Sequence, residues 1–186
     1  MAKFLEGNVR KTAPSAPAVG LTPAVLRSLI PGDFHIMEVR PGQSARLEGM
    51  KPCFVLFHEK GIFVISRCKQ EGIIHGELGE ESWTSFNYLG DGTPFPNPAA
   101  QSRANIAALS RLLKLPEDAF HACILFPPLS ELRKVPEHSP WLDILLEDEL
   151  EDCFSRMLPG LQPCYTHTQL DALRDIFLLV TSDTAN

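Results

Sequence analysis

The hydrophobic patterning predicts an α/β fold: a mixed central β-sheet flanked by helices, followed by two additional C-terminal helices. Three observations carry this. Short apolar runs with strand character occupy Phe34 to Val39, Cys53 to Phe57 and Gly61 to Cys68. An Asn97-Pro98 pair then opens a helical pattern, because asparagine caps and proline suits the first helical position. Finally, the run His121 to Phe126 reads as another strand before two more helical patterns. Helix, several strands, helix, strand, helices is the order of a sandwich built around a mixed sheet.

Each element follows from local chemistry. Residues 8 to 20 hold Pro14, Pro17 and small residues, so residues 1–20 read as a flexible leader. Thr22-Pro23 supplies a cap and an N1 proline. Leu26, Leu29 and Ile30 form one apolar face, and Pro31-Gly32 ends the short helix. Phe34, Ile36 and Glu38 alternate with His35, Met37 and Val39 in a first strand. Cys53 to Phe57 and Gly61 to Cys68 form the sheet centre, joined by the tight connection His58-Glu-Lys-Gly61, and Gly72 to Gly76 adds a third, short strand. The helix from Asn97 to about Leu113 carries Ile106, Leu109 and Leu113 on one face. Pro127-Pro128 ends the strand His121 to Phe126, and residues 127 to 140 read as a proline-punctuated loop.

Trp141 to Leu158 reads as an acidic amphipathic helix, with Leu142, Leu146, Leu150 and Phe154 at i+4 steps. Thr168 to Val180 reads as the last helix, with Leu170, Leu173, Phe177 and Val180 as its stripe. The predicted organisation is a leader over 1–20, a main domain over 21–128 and a helical extension over 129–186.

Composition narrows the function classes. The 186 residues are 44% hydrophobic and 22% charged, which is enough apolar material for one ordinary core. A net charge of -6 argues against a strongly basic nucleic-acid surface, while leaving room for a local basic groove. The five cysteines include no CxxC pair and read as reduced thiols of a cytoplasmic protein. No run approaches the roughly 20 apolar residues of a membrane helix, and the N-terminus has no hydrophobic signal core.

One ordered set of motifs points further. Gly61-Ile-Phe-Val-Ile65, Gly72-Ile-Ile-His-Gly76, Trp83-Thr84, Phe95-Pro-Asn-Pro98 with Gln101, Asn105-Ile-Ala-Ala-Leu109 and the strand ending at Phe126 follow one another with matching spacing. Together they resemble the nuclease-related domain (NERD), a branch of the PD-(D/E)XK nuclease-like superfamily. The resemblance implies an acidic residue on the strand before the hairpin and a Glu-x-Lys after the Gly-Ile-Phe-Val-Ile run. Residues i and i+2 of a strand share a face. Two carboxylates there would hold Mg2+ or Mn2+ through oxygen, and the lysine would adjoin the attacking water.

This chain departs from that pattern at the catalytic positions. The aspartate position falls near Pro52 or Cys53, and the Glu-x-Lys becomes Ser66-Arg67-Cys68. Val19-Gly20-Leu21 replaces an early Gly-Glu. Gln101 alone survives. Lys69 comes one residue late and points to the opposite face in a regular strand. A bulge could turn Lys69 inward, with Glu48, Glu71 or Glu77 as a replacement carboxylate. The degenerate positions Ser66, Cys68 and Gln101 lead to the expectation of a non-catalytic domain with no cofactor.

Arg67, Lys69, His75 and Arg103 are the candidate nucleic-acid contacts. The resemblance further implies a helicase-type or other DNA-processing partner. The alternatives are a divalent-metal nuclease with a relocated site, and a protein-interaction module, including a homodimer, with no nucleic-acid role. His121 and Cys123 share a strand face and read as structural. Cys164-Tyr-Thr-His167 with Cys153 offers three zinc ligands at most, so it reads as a buried thiol beside a helix cap.

Overall fold

The computed structural model describes residues 21–40, 42–136 and 138–182; the expected leader lies outside them. Helix α1 (Pro23–Leu29) starts at Thr22, whose side chain accepts the Val25 amide hydrogen. Strand β1 (Phe34–Val39) pairs antiparallel with β2 (Cys53–His58), and β2 pairs antiparallel with β3 (Gly61–Arg67). The chain then leaves the sheet for β4 (Ile73–His75) and a hairpin of β5 (Ser82–Phe86) and β6 (Gly92–Pro96). Helix α2 (Pro98–Leu113) returns it to β7 (Phe120–Phe126), which lies parallel to β3. Two-residue strands β8 (Glu131–Leu132) and β9 (His138–Ser139) precede β10 (Leu142–Leu146), α3 (Leu150–Met157) and α4 (His167–Thr181).

The main sheet has the order β1-β2-β3-β7-β10-β9, and a smaller one has the order β6-β5-β4-β8. The main sheet is mixed and covered on both faces, as the α/β prediction requires. One face carries Val55, Val64, Ala122 and Ile144 against Ile106 and Leu109 of α2 and Leu170 and Phe177 of α4. The other carries Leu56, Phe63, Ile65 and Leu125 against Leu26 of α1 and Phe154 of α3. Trp83, fully buried, joins the two sheets: its indole lies parallel to the Phe126 ring at 6.4 Å, and its Nε1 donates to the Glu77 carbonyl at 2.9 Å. Among the described residues no helix is long and apolar enough to cross a membrane.

Three expectations are corrected. Trp141 to Leu158 is not one helix: Leu142–Leu146 is a strand parallel to β7, a 3-10 turn spans Glu147–Glu149, and the helix covers only Leu150–Met157. A strand buried on both faces reads as a continuous apolar run, and Leu-Asp-Ile-Leu-Leu fits that as well as it fits a helix stripe. The segment after residue 128 thus supplies a strand of the central sheet as well as two helices. The short strand near Ile73 belongs to the smaller sheet rather than the main one. The last helix is capped by Thr166, not Thr168, in a reciprocal box with Gln169.

Candidate functional site

The C-terminal ends of β1 and β3, the start of β2 and the first turn of α2 enclose a cavity of about 480 Å³. Alternation along β3 puts Ser66 and Cys68 on the face covered by α2. The Cys68 amide still donates to the Leu125 carbonyl at 2.7 Å, so the chain stays tied to β7 through this residue. Helix α2 is fixed from its first residue. Asn97 Oδ1 accepts from the amides of Ala99 and Ala100, and its Nδ2 donates to the carbonyls of Glu77, Leu78 and Glu80. Gln101 and Ser102, one turn on, line the cavity, with Phe95 and Pro96 of the smaller sheet forming another wall.

Ser66, Cys68, Gln101, Arg67 and Lys69 therefore meet at one cavity. Lys51 joins them from the loop before β2. Its position is set by Asn105 of α2, whose Oδ1 accepts the Lys51 amide hydrogen at 2.9 Å and whose Nδ2 donates to the Lys51 carbonyl at 3.1 Å. No sequence spacing singles out Lys51, although Asn105 lies within one of the matched motifs. Glu71, a proposed replacement carboxylate, does not line the cavity, and neither do Glu48 and Glu77. His75 sits on β4 against Phe86, with ring centroids 5.0 Å apart, and the Arg103 guanidinium lies over the Trp141 ring at 5.5 Å; neither reaches the cavity.

The electrostatics favour anions. Lys51, Arg67 and Lys69 bring three cationic groups, while among the described residues Glu38 is the one carboxylate in the lining. Glu38 faces the side opposite Ser66 and Cys68 and accepts a hydrogen bond from Arg40 at 2.5 Å, which holds its carboxyl below the usual range. Arg67 is engaged by both carboxylate oxygens of Glu147, a side chain only 9% exposed. Lys51 and Lys69 have no ion-pair partner among the described residues.

The thiols are inert: burial pushes Cys53 up to about 12 and Cys68 up to about 11, so both stay protonated near neutrality. The donor set does not fit the divalent cation the resemblance implies, which needs converging oxygen anions. Ser66 Oγ and Ser102 Oγ are buried in the lining with no hydrogen-bond partner among the described residues. Unpaired buried hydroxyls of this kind call for a ligand or water to satisfy them.

Comparison with known proteins gives one match, to part of the chain. No curated protein and no solved structure matches the chain. Residues 54–127, from β2 through the smaller sheet and α2 to the end of β7, match the nuclease-related domain family. With the mixed sheet and the cavity at its strand ends, this match over residues 54–127 is consistent with the PD-(D/E)XK nuclease-like superfamily.

Proposed function

We propose that this domain holds a nucleic-acid backbone at the former nuclease site without cutting it, and so positions a helicase-type or other DNA-processing partner. The observation that carries the reading is the cavity lining. Among the described residues it combines unpaired Lys51 and Lys69 with two unsatisfied hydroxyls, and its sole carboxylate is turned away and held by Arg40. Phosphate oxygens accept from ammonium and hydroxyl groups alike, whereas cleavage needs a metal held by carboxylates.

The test is fluorescence anisotropy with labelled single- and double-stranded DNA and RNA across salt concentrations. Arg67 is already neutralised by Glu147, so two lysines remain to release counterions. On duplex DNA the slope of log K against log salt is then about -2, from roughly -0.9 per phosphate contact. Lys51→Ala and Lys69→Ala each reduce the slope by about one contact. Absence of binding at low salt rejects the reading and leaves a protein-interaction module, for which a homodimer in light scattering is the first check. Cleavage in magnesium or manganese, abolished by Glu38→Gln, rejects it in favour of a relocated nuclease site.

A further inference from the structure

We propose that the edge of the main sheet holds a structural zinc ion, bound by His121, Cys123, His138 and Asp143. The site follows from register. His121 and Cys123, two apart on β7, point to one face. Asp143 on β10 is the direct neighbour of Cys123 on one side and of His138 of β9 on the other. The three strands thus lay Cys123, Asp143 and His138 in a row, with His121 one step along β7. The donor atoms of His121, Cys123 and Asp143 all lie within 4.8 Å of one another. His121 Nε2 stands 2.7 Å from Asp143 Oδ2, and His138 Nδ1 stands 2.5 Å from Asp143 Oδ1.

Two imidazoles, a thiol and a carboxylate form a zinc ligand set. Tetrahedral zinc with bonds of roughly 2.0–2.3 Å separates its donors by about 3.3–3.8 Å, so His121, Cys123 and Asp143 close in by about 1 Å or less to hold an ion, and the exposed His138 side chain turns in as the fourth ligand. Asp143 is a carboxylate buried in the middle of a sheet, where acids pair or coordinate metal. It pairs with the two imidazoles, and among the described residues no lysine or arginine is paired with it. The His35, His167 and Asp171 cluster differs in this respect, because Arg174 lies 3.0 Å from Asp171 and opposes a second cation.

The His138 side chain is 68% exposed on the edge strand and gives the ion a way in. On binding, the Cys123 thiol gives its proton to the buffer. Each neutral imidazole moves its hydrogen to the ring nitrogen facing away from the metal. Four protein ligands make a closed, structural centre that fastens the two-residue strand β9 to the sheet.

The experiment uses the whole chain, stripped with chelator and dialysed metal-free. Titration with zinc alone is expected to load one ion per chain, raise the melting temperature and release a proton measurable in two buffers of different ionisation heat. Cobalt in its place is expected to give the visible bands of a tetrahedral centre together with a thiolate charge-transfer band. His138→Asn, at an exposed position that leaves the core alone, is expected to weaken zinc by about 10- to 100-fold, and His138→Cys, which restores a ligand, to recover it. Failure to take up zinc overturns the proposal. So does an octahedral cobalt spectrum without the thiolate band, or zinc binding that survives His138→Asn and disappears in a Cys164→Ser/His167→Ala variant.

Discussion

Gly76→Ala tests whether Trp83 is the joint between the two sheets. A Cβ at Gly76 would stand 2.1 Å from Trp83 Cγ, 2.3 Å from Cδ1 and 2.4 Å from Cδ2. Carbon atoms pack at roughly 3.5–4.0 Å, so the indole must retreat by about 1.5 Å. It has nowhere to go. Phe126 stacks on one side, Phe95 presses edge-on at 6.4 Å, and the Nε1 bond to Glu77 fixes the remaining direction. Overpacking costs about 1–3 kcal/mol, and the strained indole bond adds about 1 kcal/mol. Lower unfolded-state entropy offsets about 0.4–1 kcal/mol of this.

The net loss is about 1–3 kcal/mol, or roughly 2–12 °C in Tm at this chain length. Gly79→Ala is the matched control, because its Cβ would meet nothing within 4 Å; it should stay within about 0.5 kcal/mol of the parent. Thermal melts followed by circular dichroism read the difference, and Trp83 fluorescence in a Trp141→Phe background reports the ring's displacement. Equal melting temperatures for the two alanine variants would refute the reasoning. Since Phe95 and Pro96 of the same hairpin wall the cavity, Gly76→Ala should also weaken anion binding there.

Other perturbations follow from the same contacts. Asn97→Ala removes the α2 cap and strands three carbonyls, which should cost about 2 kcal/mol or more in chemical denaturation. Arg67→Ala leaves the largely buried Glu147 carboxylate unpaired and should cost about 1–3 kcal/mol, most of it recovered by adding Glu147→Gln; an uncorrected double variant would discount the ion pair. Ellman's reagent at pH 8 should modify the exposed Cys164 promptly and the four buried thiols only after unfolding. The sign for Cys53 and Cys68 is that burial raises both in the folded state. Their protons stay bound where the unfolded chain releases them near pH 9, so stability is intact below that pH and falls as pH rises toward 11 and 12. A flat urea midpoint from pH 9 to 11 would contradict this.

Much of the frame was legible because it rests on local signals. Thr22-Pro23 and Asn97-Pro98 cap their helices as the residue types dictate, and the α2 and α4 stripes are buried as their spacing requires. What escaped depended on partners distant in sequence. The β5–β6 hairpin contains Pro94 and Pro96, which weaken a strand signal, and its place is decided by Trp83 meeting Phe126. The apolar run at Leu142–Leu146 fits helix and strand equally until β7 lies beside it. At the site, Ser66, Cys68, Arg67, Lys69 and Gln101 were traceable along one strand and one helix turn. Lys51 and Glu147 enter only through pairing with Asn105 and Arg67.

The Asn105 clamp grips the loop by the main chain of residue 51 and leaves that residue's side chain out of the bond. Position 51 can therefore accept a neutral, acidic or longer basic group while the loop keeps its course. The charge presented to a ligand becomes a setting independent of the scaffold. A library at this one position would vary affinity and salt response over a constant fold, which makes it the natural entry point for retuning or rebuilding the domain's chemistry.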